Sequence, residues 1–99
     1  MSYDFPKSRA LFERAQKIIA AGVNSGIRKM EQPVPLYFDH GKGSRLFDVD
    51  GNEYIDFINN YTSLIHGHAN RAIEAVAIEA MRLGTAFAAP TPPEIALSK

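Results

Sequence analysis
The chain has 99 residues, with eleven basic and eleven acidic side chains, 45% apolar residues and no cysteine. That length bounds it at one small domain or a segment of a larger one, and its composition is that of a globular protein, not a disordered one. The charge balance leaves no footprint for nucleic acid or an anionic membrane. The absence of cysteine excludes disulfides, thiolate catalysis and thiolate-held metals.

The start, Met1-Ser2-Tyr3-Asp4-Phe5-Pro6, has no basic stretch leading into an apolar one, and no apolar run approaches the ~20 residues that span a bilayer. A cytoplasmic protein is the expectation. The first periodic segment predicts a helix over 8–21. Ser8 has the hydroxyl of an N-cap, Leu11, Ala15, Ile18 and Ile19 share one face, and Gly22 closes the pattern as a left-handed residue. Periodicity then lapses over 23–32, where Asn24-Ser25-Gly26 is turn chemistry, and Pro33 and Pro35 bracket an extended entry.

Three short strands follow in the prediction. Leu36-Tyr37-Phe38 ends at an Asp39-His40-Gly41-Lys42-Gly43 turn, and 45–49 and 53–58 are joined through Asp50-Gly51, a strong hairpin signal. Residues 59–69 read as a loop. Asn70 caps a second helix with Ile73, Val76, Ala77, Ala80 and Met81 on one face and Leu83-Gly84 at its end. Thr91-Pro92-Pro93-Glu94 is a capping box opening a third helix through Ile95, Ala96 and Leu97. Two turns are too few to stand alone, where ~12–15 residues are already marginal, so the chain is expected to be a fragment.

Residue chemistry yields few suspects. His66 and His68, two apart, with His40 as a third, raise a metal site, but the pair flanks a glycine, which more commonly marks a tight turn. Gly41-Lys42-Gly43 lacks the spacing and the following helix of a phosphate loop. Arg28, beside Asn24 and Ser25, is either a surface arginine or a carboxylate anchor. Tyr61 is either packing or a stacking surface for a planar ligand. No reaction follows from these alone.

A larger pattern narrows the choice. Gly22-Val23-Asn24-Ser25 with Arg28, then Gly41-Lys42-Gly43-Ser44-Arg45-Leu46, then Asp48-Val49-Asp50-Gly51-Asn52-Glu53-Tyr54-Ile55-Asp56, then Gly67-His68-Ala69, and last Gly84-Thr85 to Pro90-Thr91 stand in this order along nearly the whole chain. Together they resemble the N-terminal part of the class III aminotransferases. These are pyridoxal-phosphate enzymes of fold type I, a group that includes glutamate-1-semialdehyde 2,1-aminomutase and β-amino-acid aminotransferases.

The resemblance implies an α+β fold: an N-terminal helix, a small antiparallel three-stranded sheet and a further helix, with residues 1–99 ending before the large cofactor domain. It implies that Arg28 and Ser25 meet a substrate carboxylate and that Tyr61 lines the substrate pocket. The Tyr61-Thr62 pair is similar to the β-phenylalanine type, whose carboxylate arginine is nearer Gly26. Amino-acid and keto-acid substrates are implied, without nucleic acid, membrane or metal. The implied partner is a second subunit or the remainder of the enzyme, with 84–91 approaching the active site across the dimer interface. Asn70-Arg71 replaces the family's usual His-Pro, and Ala86 and Ala88 stand where Ser and Gly are common. Lys17, Lys29 and Lys42 lack the context of the Schiff-base lysine, so the 99-residue chain is expected to be inactive alone. A rival reading is a non-catalytic module that docks on a full-length enzyme.

Overall fold
The computed structural model describes residues 3–99, and the chain divides into two units, one running to Ala69 and the other from Asn70 to Lys99. In the first unit, helix α1 spans Pro6–Ile18. Proline fits a first helical turn because its missing N–H has no partner there to lose. Ser8 therefore lies inside the helix, fully buried, and does not cap it. The cap comes instead from the Asp50 carboxylate, which accepts from the backbone N–H groups of Lys7 (2.6 Å) and Ser8 (2.9 Å). An anion at this end also meets the positive pole of the helix dipole. A hydroxyl in the right place suggested a local cap, whereas the real one is a tertiary contact that no local pattern reports.

Ala15 is buried and Leu11 and Ile19 are half-buried, so the predicted face packs, although Ile18 stays 82% exposed at the helix end. Gly22 is left-handed as predicted (φ 76°), but it closes a separate 3₁₀ turn, Ala20–Gly22. A second 3₁₀ turn, Gly26–Met30, carries Arg28.

The sheet has three antiparallel strands in the order β1 (Phe38–Lys42), β2 (Arg45–Asp48), β3 (Glu53–Ile55). The α+β architecture stands, with β1 displaced from its predicted place. Lys42 pairs with Arg45, which leaves Gly43-Ser44 as a two-residue turn and draws the supposed turn 39–42 into the strand. That stretch lacks apolar alternation because its pairing is supported by other groups. The His40 ring stacks on Phe47 with centroids 4.5 Å apart, and Gly41 lies against the ring of His68.

Between β2 and β3 the chain turns around a buried anion. Asp48, 3% exposed, accepts from the N–H groups of Asp50 (3.0 Å) and Asn52 (2.8 Å) at one oxygen, and from Asn52 Nδ2 (2.9 Å) and the Tyr54 hydroxyl (2.8 Å) at the other. Burial pushes this carboxyl up, and the bonds from Asn52, Tyr54 and Asp50 outweigh it, so the group stays below its ordinary range. The Tyr54 hydroxyl is driven the other way, well above its ordinary value, by burial and by the carboxylate that it donates to.

In the second unit, helix α3 (Arg71–Leu83) follows the single turn α2 (Asn59–Thr62) of the first. Asn70 caps α3 as predicted, its side chain accepting from Ala72 N (3.1 Å) and Ile73 N (3.2 Å). Helix α4 (Pro92–Leu97) opens with the predicted capping box, Glu94 accepting from the Thr91 N–H (2.9 Å) and hydroxyl (2.7 Å). No residue from Asn70 to Lys99 is buried. The apolar face of α3 lines an open concavity of about 450 Å³ through Ile73, Val76, Ala77 and Ala80.

Candidate functional site
Arg28 borders a cavity of about 400 Å³ whose other walls include Ile19, Val23, Asn24, Glu31, Leu36 and Phe38. The 3₁₀ turn that carries it is held by the Arg28 N–H donating to the Ser25 carbonyl at 3.1 Å. Glu31 stands three residues on, where a 3₁₀ turn brings side chains onto one side. Its carboxylate is engaged by the backbone N–H of Leu36 at 2.9 Å, and among the described residues no acidic side chain pairs with Arg28. Arg28 is exposed and makes no ion pair among the described residues, and it shares the cavity with Asn24 and the Glu31 carboxylate as well as the apolar walls; a guanidinium so placed can take a carboxylate in a two-point grip.

Tyr61 is 74% exposed within this chain and does not line the Arg28 cavity. Neither Tyr61 nor Ser25 lines the Arg28 cavity; the structure joins Ser25 to Arg28 through the backbone bond and leaves Tyr61 apart from both. Tyr61 sits in α2, whose four residues have φ of 48°, 47°, 55° and 72°, so the turn is left-handed. Asparagine tolerates that region, but tyrosine and β-branched threonine do not, at a cost of about 1–2 kcal/mol per residue. Non-glycine strain of this kind clusters at functional sites.

The turn is held by Thr62 N–H to Ile58 O (3.1 Å) and Leu64 N–H to Asn59 O (3.0 Å). Asp56 fixes its entrance, one carboxylate oxygen accepting from Ile58 N and Asn59 N, each at 2.9 Å. The other oxygen accepts from His68 Nε2 at 2.7 Å. An ionised carboxylate can only accept, so Nε2 carries the hydrogen. The Asn59 amide and then the His68 ring hold the Asp56 carboxyl below its ordinary range against a smaller opposing effect of burial.

His68 is tied to the sheet by its backbone, with Gly43 N–H to His68 O at 2.9 Å and His68 N–H to Gly43 O at 2.8 Å. A Cβ on Gly41 would fall 2.5 Å from His68 Cγ, and one on Gly67 would fall 2.8 Å from the Gly43 carbonyl oxygen. Both glycines are therefore required by close approach. Gly67 closes a tight turn, its N–H donating to the Leu64 carbonyl at 3.1 Å, but the His68 imidazole bonds the Asp56 carboxylate and not the backbone. Sequence reasoning missed Asp56 and the paired role of His68; the only local signal was Asn59-Asn60, two residues that accept positive φ.

In the second unit, residues 84–91 and the start of α4 enclose a separate concavity of about 760 Å³, with Leu83, Phe87 and Pro90 among its walls. Among the described residues no helix is long and apolar enough to cross a membrane.

Residues 27–96 match the family described as Aminotransferase class-III. The chain belongs to the class III aminotransferase family. It is 49% identical over 98 residues to the glutamate-1-semialdehyde 2,1-aminomutase 2 of Bacillus thuringiensis (strain Al Hakam), covering 96% of this chain and 23% of that protein. Among solved structures, a transaminase with PLP bound is 42% identical with a TM-score of 0.83, over 95% of this chain and 22% of that one. A β-phenylalanine aminotransferase from Variovorax paradoxus is 34% identical with a TM-score of 0.72, over 80% of this chain and 18% of that one. The chain thus spans about a fifth of the length of the proteins it matches.

The residues present do not by themselves fit a pyridoxal group. Lys7, Lys17, Lys29, Lys42 and Lys99 are all exposed, and none borders the Arg28 cavity.

Proposed function
We propose that this chain supplies the substrate-carboxylate side of a pyridoxal-phosphate-dependent aminotransferase, which moves an amino group between an amino acid, a β- or aromatic one, and a keto acid. Arg28 carries the reading: its guanidinium makes no ion pair among the described residues and borders a cavity whose walls are partly apolar, with Asn24 and Glu31 as the polar ones. In this reading Arg28 and Ser25 meet the substrate carboxylate, and Tyr61 offers an aromatic wall. The similarity to a β-phenylalanine aminotransferase supports the choice of amino donor. The cofactor, the reactive lysine and the complementary subunit surfaces belong to polypeptide outside these residues. The 99 residues alone are inactive.

A second reading, a portion of a glutamate-1-semialdehyde 2,1-aminomutase, is favoured by the 49% identity to that enzyme. It shares the carboxylate anchor and differs in returning the amino group to the same carbon skeleton. Titrating the chain with β-phenylalanine while following the Arg28 side-chain NMR signals tests the anchor. Arg28→Gln removes charge-assisted bonds and is expected to weaken binding by about 10- to 100-fold. Equal affinity in the variant sinks the proposal. Mixing the chain with the complementary polypeptide of a relative separates an enzyme part from a docking module: the enzyme part restores cofactor absorbance and turnover.

A further inference from the structure
We infer that Asp56 and His68 form a positioning pair, a clasp whose function is to hold the left-handed turn bearing Tyr61 in its presenting conformation. The inference rests on the reading of Tyr61 as a substrate-pocket wall, and it adds two residues that touch no substrate. Four observations carry it. The clasp is largely removed from water, with the side chains of Asp56 and His68 exposed by 4% and 21%. The two residues stand at either end of the segment: Asp56 engages the amides of Ile58 and Asn59, while His68 is bonded through its backbone to Gly43. The turn between them is strained at Tyr61 and Thr62, so it needs an external restraint to persist. Gly41 leaves the space that the imidazole occupies, because any side chain there would collide with the ring.

The alternative for such a pair is general stabilisation of the hairpin, and geometry separates the two. Asp56 spends one oxygen on the turn and the other on His68, so breaking the side-chain bond frees the carboxylate to swing and releases the turn. The hairpin keeps its own ladder and the backbone bridge between Gly43 and His68.

The test is amide hydrogen exchange on the full 99-residue chain. In His68→Ala, the Thr62 and Leu64 amides are expected to exchange about tenfold faster, the effect of one lost charge-assisted bond, while the Val49 amide changes by less than about twofold. His68→Gln, whose amide can donate to the same oxygen, is expected to restore protection at Thr62 and Leu64. Asp56→Asn, which retains an acceptor for the two amides, falls between the parent and His68→Ala. Unchanged exchange at Thr62 and Leu64 overturns the inference. So does a rise shared equally by Val49 that glutamine does not rescue. Failure of the Arg28 reading shows separately, as absent β-phenylalanine shifts in the parent chain, and the exchange pattern still decides the clasp.

Discussion

The Asp48 carboxylate offers the sharpest test of what holds the first unit together. Asp48→Asn keeps the size of the side chain and one acceptor oxygen, which can still serve the N–H groups of Asp50 and Asn52. The new amide then faces Asn52 Nδ2, a donor against a donor, and the Tyr54 hydroxyl loses its ionised acceptor. Each hydrogen bond to a charged group contributes about 1.5–3 kcal/mol, so losing two in a 3% exposed position costs about 3 kcal/mol or more. Set against total stabilities of about 5–15 kcal/mol for whole domains, that is enough to unfold a small unit. The Tyr54 ring reports the change, since it stacks on Tyr3 at 5.3 Å and meets Phe38 edge-on at 5.9 Å, which gives the tyrosines a fixed asymmetric setting. Near-ultraviolet circular dichroism followed through a urea titration is expected to show the midpoint falling by about 3 M or more, or no transition at all, at a slope of about 1 kcal/mol/M. Tyr54→Phe removes one donor and leaves three, and is expected to lower the midpoint by about 1.5–3 M. A midpoint for Asp48→Asn within about 0.5 M of the parent refutes the saturated-anion account.

Acid provides an independent check. Asp48, Asp50 and Asp56 titrate below their ordinary 3.8 in the folded chain, so their stabilisation is complete above that pH and is lost as pH falls through the lower native values. Unfolding below pH 4, followed by the same dichroism, should become shallower in Asp56→Asn; an unchanged profile counts against the assignment. Gly41→Ala places a Cβ 2.5 Å from His68 Cγ and is expected to cost about 2–3 kcal/mol by displacing the ring, read as a lowered urea midpoint. The exposed side chains of α3, with Val76 at 71% and Met81 at 56%, predict concentration-dependent association of the isolated chain. Sedimentation showing a monomer with a sharp, cooperative melt would contradict it.

Local chemistry reported its elements well where the signal and the structure were both local. Asn70 and the Thr91–Glu94 box cap their helices within one turn, and Asp50-Gly51 marks its hairpin, so each was legible from neighbouring residues alone. Ser8 misled because its hydroxyl fits an N-cap, while the actual acceptor is far along the chain. The β1 register was hidden for a similar reason: Asp39, His40 and Gly41 look like a turn until Phe47 and His68 are placed beside them. Within the candidate site, Arg28 was visible as a residue type, but the cavity it shares with Glu31, whose carboxylate accepts from the Leu36 amide, is formed by residues spread from Ile19 to Phe38 and has no local signature. Asp56 read as one more residue of the strand predicted over 53–58, since nothing adjacent announces a partner twelve residues away.

The remote capping of α1 has a bearing on biosynthesis. Lys7 and Ser8 emerge first, but the carboxylate that completes their turn is 43 and 42 residues further along. At translation speeds of about 5–20 residues per second, the nascent amphipathic segment waits roughly 2–9 s for it. During that interval Leu11, Phe12 and Ile19, half-buried in the folded chain, have no tertiary shelter. Moving a competent cap to residue 5, for example by Phe5→Asp, would shorten that dependence and let the first helix form before the hairpin exists.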